Sequence, residues 1–256
     1  MNPALGFAIA AVPVFLASVV EFVEALTIVL AVGVTRQWRA ALWGSVGAAV
    51  TLTVIVAVFG MTLIAVIPQH LFQVVVGTLL LLFGLKWLRK AILRFAGIVA
   101  LHDEELIYQR EVAMLREQGI RKEDFDRIGF WVSYKSVLLE GLEVAFIVIA
   151  FGAQGPAQLQ AGILGAAAAG VLVILAGIAL KQPLTLVPEN AMKFVVGAML
   201  VTFGVYWSAE GFGADWALGN VTPIVILVTV CIVSRLGLLM LNVMVPHGAE
   251  VDARRV

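Results

Sequence analysis

Two short stretches place acids where acids are costly. SVVEFVEALTIVLAVG, Ser18 to Gly33, is apolar almost throughout yet holds Glu21 and Glu24, and YKSVLLEGLEVAFIVIAFG, Tyr134 to Gly152, holds Glu140 and Glu143 at the same spacing. Residues i and i+3 share one face of a helix, about 4.5 Å apart along its axis, so each pair presents two carboxylates to one neighbour. Carboxylate oxygens suit hard cations such as calcium, manganese, magnesium or iron, and no nearby Cys, Met or His offers the softer ligands that select copper(I) or zinc. Four adjoining acids in apolar surroundings cannot all be ionised without a counter-charge. A multivalent cation supplies that charge, and protonation after the cation leaves makes proton exchange a natural coupling.

The elements that hold these acids are membrane helices. Of 256 residues, 62% are hydrophobic and only 13% charged, against about 25% charged in a soluble domain. Runs that are apolar all round exclude the alternating strands of a barrel. Seven spans are predicted, at 12–34, 40–67, 71–93, 130–151, 159–180, 191–209 and 221–245. The single cysteine, Cys231, lies inside an apolar run and excludes an internal disulfide. The N-terminal apolar stretch lacks the basic region of a cleaved signal and runs on through the glutamates. Net charge is zero, so the total points to no nucleic-acid partner; the lipid bilayer is the partner the composition requires.

Lys and Arg concentrate on the cytoplasmic side of membrane proteins. With the N-terminus outside and the C-terminus inside, the inner side receives Arg36, Arg39, the charged loop, Lys181, Lys193, Arg254 and Arg255, while the outer loops PQH, QGPAQ and AEGFGADWALGN carry no Lys or Arg. The expected location is the plasma membrane, read as a bacterial inner membrane. The loop between the third and fourth spans is expected to be a solvated or surface-lying cytoplasmic hairpin, with Leu106, Ile107, Ala113 and Met114 as its apolar stripe, in preference to a regulatory metal-binding segment.

The chain also repeats itself. PQHLFQVVVGTLLLLFGLKW from Pro68 aligns with PENAMKFVVGAMLVTFGVYW from Pro188, and Glu21, Glu24 and Gly33 fall against Glu140, Glu143 and Gly152. An odd number of spans per repeat inverts the second copy, an arrangement that puts binding sites near the bilayer midplane. The expected fold is therefore all-α and polytopic: two inverted three-helix repeats, 1–94 and 130–218, a cytoplasmic loop or helical hairpin at 95–129, and a seventh helix with a cytoplasmic tail at 219–256. All four glutamates are expected to face one central metal site.

On these motifs the chain resembles the oxidase-dependent iron permeases, the fungal high-affinity iron permeases and their bacterial relatives, which carry Arg-Glu-x-x-Glu in their first and fourth helices. EGLE, Glu140 to Glu143, matches the motif core and EFVE, Glu21 to Glu24, its acidic positions, while Val20 and Leu139 stand where the motif has arginine. The resemblance implies iron as the transported cation and an iron oxidase or other redox partner. Arg235, deep in the seventh span, either supplies the missing positive charge or extends its stem to the inner surface. The layout is more distantly similar to manganese and calcium cation exchangers, whose inverted three-span repeats carry Glu-x-Gly-Asp. A manganese or calcium cation/proton exchanger is thus the alternative, and a metal sensor or non-transporting subunit a second one. An enzyme is not expected: a di-iron carboxylate centre would want Glu-x-x-His pairs, and His70, His102 and His247 fall outside the predicted spans. No organic cofactor is expected either. Glu189, after Pro188, reads as an acid at a helix start.

Overall fold

The computed structural model describes residues 3–60, 68–118, 125–152, 155–180 and 188–244. Lys181, His247, Arg254 and Arg255 lie outside the described residues. Seven long helices and one shorter one account for nearly all of the rest, and no strand occurs among the described residues. The long helices are α1 (Pro3–Val32), α2 (Trp38–Ile55), α3 (Gln69–Phe95), α5 (Arg127–Gly152), α6 (Pro156–Leu180), α7 (Glu189–Gly211) and α8 (Thr222–Met244); α4 (Glu104–Glu117) is the shorter. Five helical stretches, 11–58, 69–95, 156–180, 189–211 and 222–244, are long and apolar enough to cross a membrane. The first of these holds both α1 and α2. α5 carries three charged residues, Lys135, Glu140 and Glu143, within its apolar run. The protein is a multi-pass, all-helical membrane protein. Helices dominate because lipid offers no partner to a backbone N–H or C=O, so each span bonds its own.

Packing divides the chain into two compact units, 1–67 with 103–188, and 68–102 with 189–256. Each unit takes segments from both halves of the sequence.

In the first unit α1 packs against α6 and α5, α2 against α5, and α4 against α1. Small residues set these approaches. A Cβ on Gly165 of α6 would sit 2.6 Å from the Ala11 carbonyl oxygen of α1, and one on Gly44 of α2 would strike the Phe130 carbonyl oxygen of α5. The sequence runs of small residues near Gly44 and Gly165 are helix-packing surfaces, as their composition predicts. A π turn, Gly33–Gln37, closes α1, and an extended Gln37 (φ −146°, ψ 125°) redirects the chain into α2. A Cβ on Gly33 would come 2.6 Å from the Trp38 ring, so a larger residue there has to displace that ring.

The loop helix α4 is docked, not solvated. Asp103 caps it, its Oδ1 accepting from the Glu105 and Leu106 backbone N–H groups at 3.0 and 3.2 Å. Its buried face is Glu104, Tyr108, Val112 and Leu115, with Leu115 inside a cluster that includes Val29, Ala31 and Val32 of α1. Burial raises the carboxyl of Glu111, on the same side of α4, above its ordinary range. Of the stripe expected at Leu106, Ile107, Ala113 and Met114, Ile107 is half-buried and the other three point outward. Leu115 and Val112 supply the competing phase, which wins because it meets α1. Arg36, after α1, donates to the Leu115 carbonyl oxygen at 3.3 Å and pairs with Asp126 just before α5.

In the second unit α3 and α7 cross antiparallel at almost backbone contact. A Cβ on Gly84 would lie 2.6 Å from the Val201 nitrogen, and one on Gly204 would lie 2.5 Å from that of Leu81. Gly97 (φ +70°) ends α3 in the left-handed region, where its N–H reaches the Arg94 carbonyl oxygen at 3.0 Å. α8 packs on α7 and α3 through Leu227, Val230 and Cys231. Most of its other large apolar side chains are exposed, as lipid-facing residues must be.

Candidate metal centre

α1 and α5 run antiparallel, with Gly129 beside Val32 at one end of their contact. That register brings the two acidic motifs to the same level. Carboxylate oxygens of Glu21, Glu24 and Glu140 lie within 4.8 Å of one another. Glu21 is 1% exposed, whereas Glu24 and Glu140 are half-buried. Glu143, one turn along α5, is also half-buried and is not one of the three. The positions before each pair differ in setting: Val20 is fully buried and Leu139 is 49% exposed.

At that spacing two ionised carboxylates repel by about 3.5 kcal/mol or more at an effective dielectric near 20. The trio therefore needs a proton or a cation. Three oxygen donors from two helices are a hard-ligand set, and a divalent ion among them leaves a net charge of about −1 with room for water or a further oxygen ligand.

Hydroxyls line the same helix. Thr27, one turn beyond Glu24, hydrogen-bonds the Val23 carbonyl oxygen at 3.0 Å and the Glu104 carboxylate of α4. Glu104 is 6% exposed. Sequence reading assigned no role to it. The detectable signal was its phase, since 104, 108, 112 and 115 make one helical face. Ser18, one turn before Glu21, is 1% exposed and its hydroxyl makes no hydrogen bond among the described residues.

The second unit carries a buried charge cluster of its own. Glu189, at the head of α7, pairs with Arg94 at 3.3 Å, Lys193 at 3.1 Å and His102 at 2.9 Å. Arg94 also reaches Asn190 at 2.8 Å and His102 Nδ1 at 3.1 Å. The acid expected merely to start a helix is the hub of an ion-pair cluster, which satisfies charges that would otherwise be buried alone. Arg235 is exposed on α8.

Residues 4–241 match the family described as ferrous iron uptake permease, iron-lead transporter. The chain belongs to that family. No curated protein and no solved structure matches it. The permease assignment covers nearly all of the chain and agrees with the resemblance carried by the two acidic motifs; it makes the molecule a membrane transporter of iron.

Proposed function

We propose that iron crosses this permease through the acidic site of α1 and α5, with Glu21, Glu24 and Glu140 as its ligands and Glu143 as an acid it meets in passing. The observation that carries the reading is the convergence of three carboxylates from both motifs within 4.8 Å, deep in apolar helices. Iron(II) takes oxygen ligands readily, and the family's description favours ferrous iron and uptake. The redox partner implied by the resemblance then acts outside the membrane-spanning path.

Inverted repeats are part of the same proposal. They are supported by which helices pair. Exchanging α1 with α5 and α2 with α6 turns the α1–α6 contact into the α5–α2 contact, and both are present. Gly165 against Ala11 and Phe15 has its counterpart in Gly44 against Phe130 and Tyr134. Such repeats rocking about a fixed midplane site would give alternating access. The proposed orientation is N-terminus outside, which puts α4 in the cytoplasm.

The test is ferrous iron uptake by the purified permease in liposomes under reducing conditions, beside Glu140→Gln. Uptake in the parent that disappears in the variant is the expected result. Equal uptake by both sinks the acidic site, and flux of manganese or calcium in place of iron moves the protein to the exchanger reading.

A further inference from the structure

We propose that the outward face of α5 near its start binds the headgroup of an anionic phospholipid, held by Arg127 and Lys135 on either side of Trp131. The three residues are spaced four apart, so they stack along one face of the helix. With Ile128 and Val132 they line a shallow groove of about 340 Å³ whose wall is almost wholly apolar. Both cations are exposed, and among the described residues neither has a carboxylate partner; Asp126, the nearest acid in the chain, is taken by Arg36.

Depth makes this groove a lipid site rather than a solvated face. Lys135 lies inside the predicted span 130–151, where an ammonium that faces hydrocarbon is costly unless it finds a counter-charge. Side chains on a helix lean toward its N-terminus, so Lys135 reaches back toward Trp131 and the membrane surface. Arg127 approaches the same level from just outside the span. Trp131 is 61% exposed, yet its ring is fixed by edge contacts to Phe130 and Tyr134, with centroids 5.2 and 5.3 Å away. Tyr134 is in turn hydrogen-bonded to Thr51 of α2 at 3.0 Å. An ordered, exposed indole at this level suits the boundary between headgroups and acyl chains. Deeper along the same face Leu139 and Phe146 are also exposed, which offers an apolar surface to an acyl chain.

The recognition is charge neutralisation by a phosphodiester. The Arg127 guanidinium can donate two N–H groups to phosphate oxygens, while the Lys135 ammonium acts as a point charge. A zwitterionic headgroup brings a cation of its own, so a headgroup with net negative charge is preferred. In the proposed orientation this end of α5 lies at the cytoplasmic leaflet, whose surface is negative.

The test is a titration of the purified permease in detergent with phosphatidylglycerol or phosphatidylcholine of matched acyl chains, read by native mass spectrometry. The parent is expected to take its first phosphatidylglycerol at least about tenfold more tightly than phosphatidylcholine, and Arg127→Gln with Lys135→Gln to reduce that preference below about threefold. Exchanging the cations, Arg127→Lys with Lys135→Arg, should keep it. Arg110→Gln with Arg116→Gln removes as much charge from the exposed side of α4 and should leave the preference intact. No preference in the parent, an undiminished preference without Arg127 and Lys135, or an equal loss in the α4 variant overturns the proposal. Displacement of phosphatidylglycerol by inorganic phosphate also overturns it, since the groove would then hold phosphate from any source.

Discussion

At the scale of single residues, charge decides which of the acids matters most to the ion. Glu21, Glu24 and Glu140 converge within 4.8 Å, and Glu143 is not among them. On the proposed reading each of the three ligates the ion directly, and removing one costs about 1.4 kcal/mol or more, a tenfold change in affinity. Glu21→Gln, Glu24→Gln and Glu140→Gln are each expected to weaken ferrous iron binding at least about tenfold by titration in detergent, and Glu143→Gln less than about threefold. Equal losses at all four would restore the four-acid site expected from the motifs. Binding should also weaken as the pH falls, because carboxylates must be deprotonated to ligate a metal. The types and spacing of these acids were legible in the chain. Their partition into three and one was not, since i and i+3 residues diverge by about 60° around a helix and a neighbour need not meet both equally.

At the scale of elements, the packing faces are written in small residues. Gly84 and Gly204 sit where α3 and α7 touch, with backbone atoms 2.5–2.6 Å from any added Cβ. Alanine at either position pushes two backbones apart, an overpacking cost of about 1–3 kcal/mol. Gly237, inside α8, has nothing within 4 Å of an added Cβ. Alanine there is expected to stabilise by up to about 1 kcal/mol through helix propensity alone. Melting in detergent should therefore order the variants as Gly237→Ala, parent, then Gly84→Ala and Gly204→Ala; a parent-like Gly204→Ala would mean that the crossing is looser than described. The long helices were readable because each is an apolar run. The docking of α4 was not, because Leu106 and Met114 compete with Val112 and Leu115 for the same short helix, and only contact with α1 chooses between them.

At the scale of the whole molecule, the remaining prediction is orientation. In a Cys231→Ser background, Ala214→Cys lies exposed between α7 and α8, and Gln118→Cys lies exposed after α4. An impermeant thiol reagent on intact cells is expected to label Ala214→Cys and spare Gln118→Cys, and the reverse pattern would invert the proposed topology. The distribution of Lys and Arg carries that expectation, since the bilayer and its insertion machinery act on loop charge regardless of how the helices pack. The same reasoning explains how far a linear reading reaches. The sequence by itself determined that the chain crosses a membrane as helices, how many there are, and which acids lie inside them, because lipid compels every span to satisfy its own backbone and makes each buried charge conspicuous. Only the tertiary structure decided that Glu21, Glu24 and Glu140 meet, that Glu104 is buried beside Thr27, and that Glu189 anchors a cluster with Arg94, His102 and Lys193. Those meetings depend on the rotation and register of one helix against another, which close packing of small residues sets and no local pattern encodes.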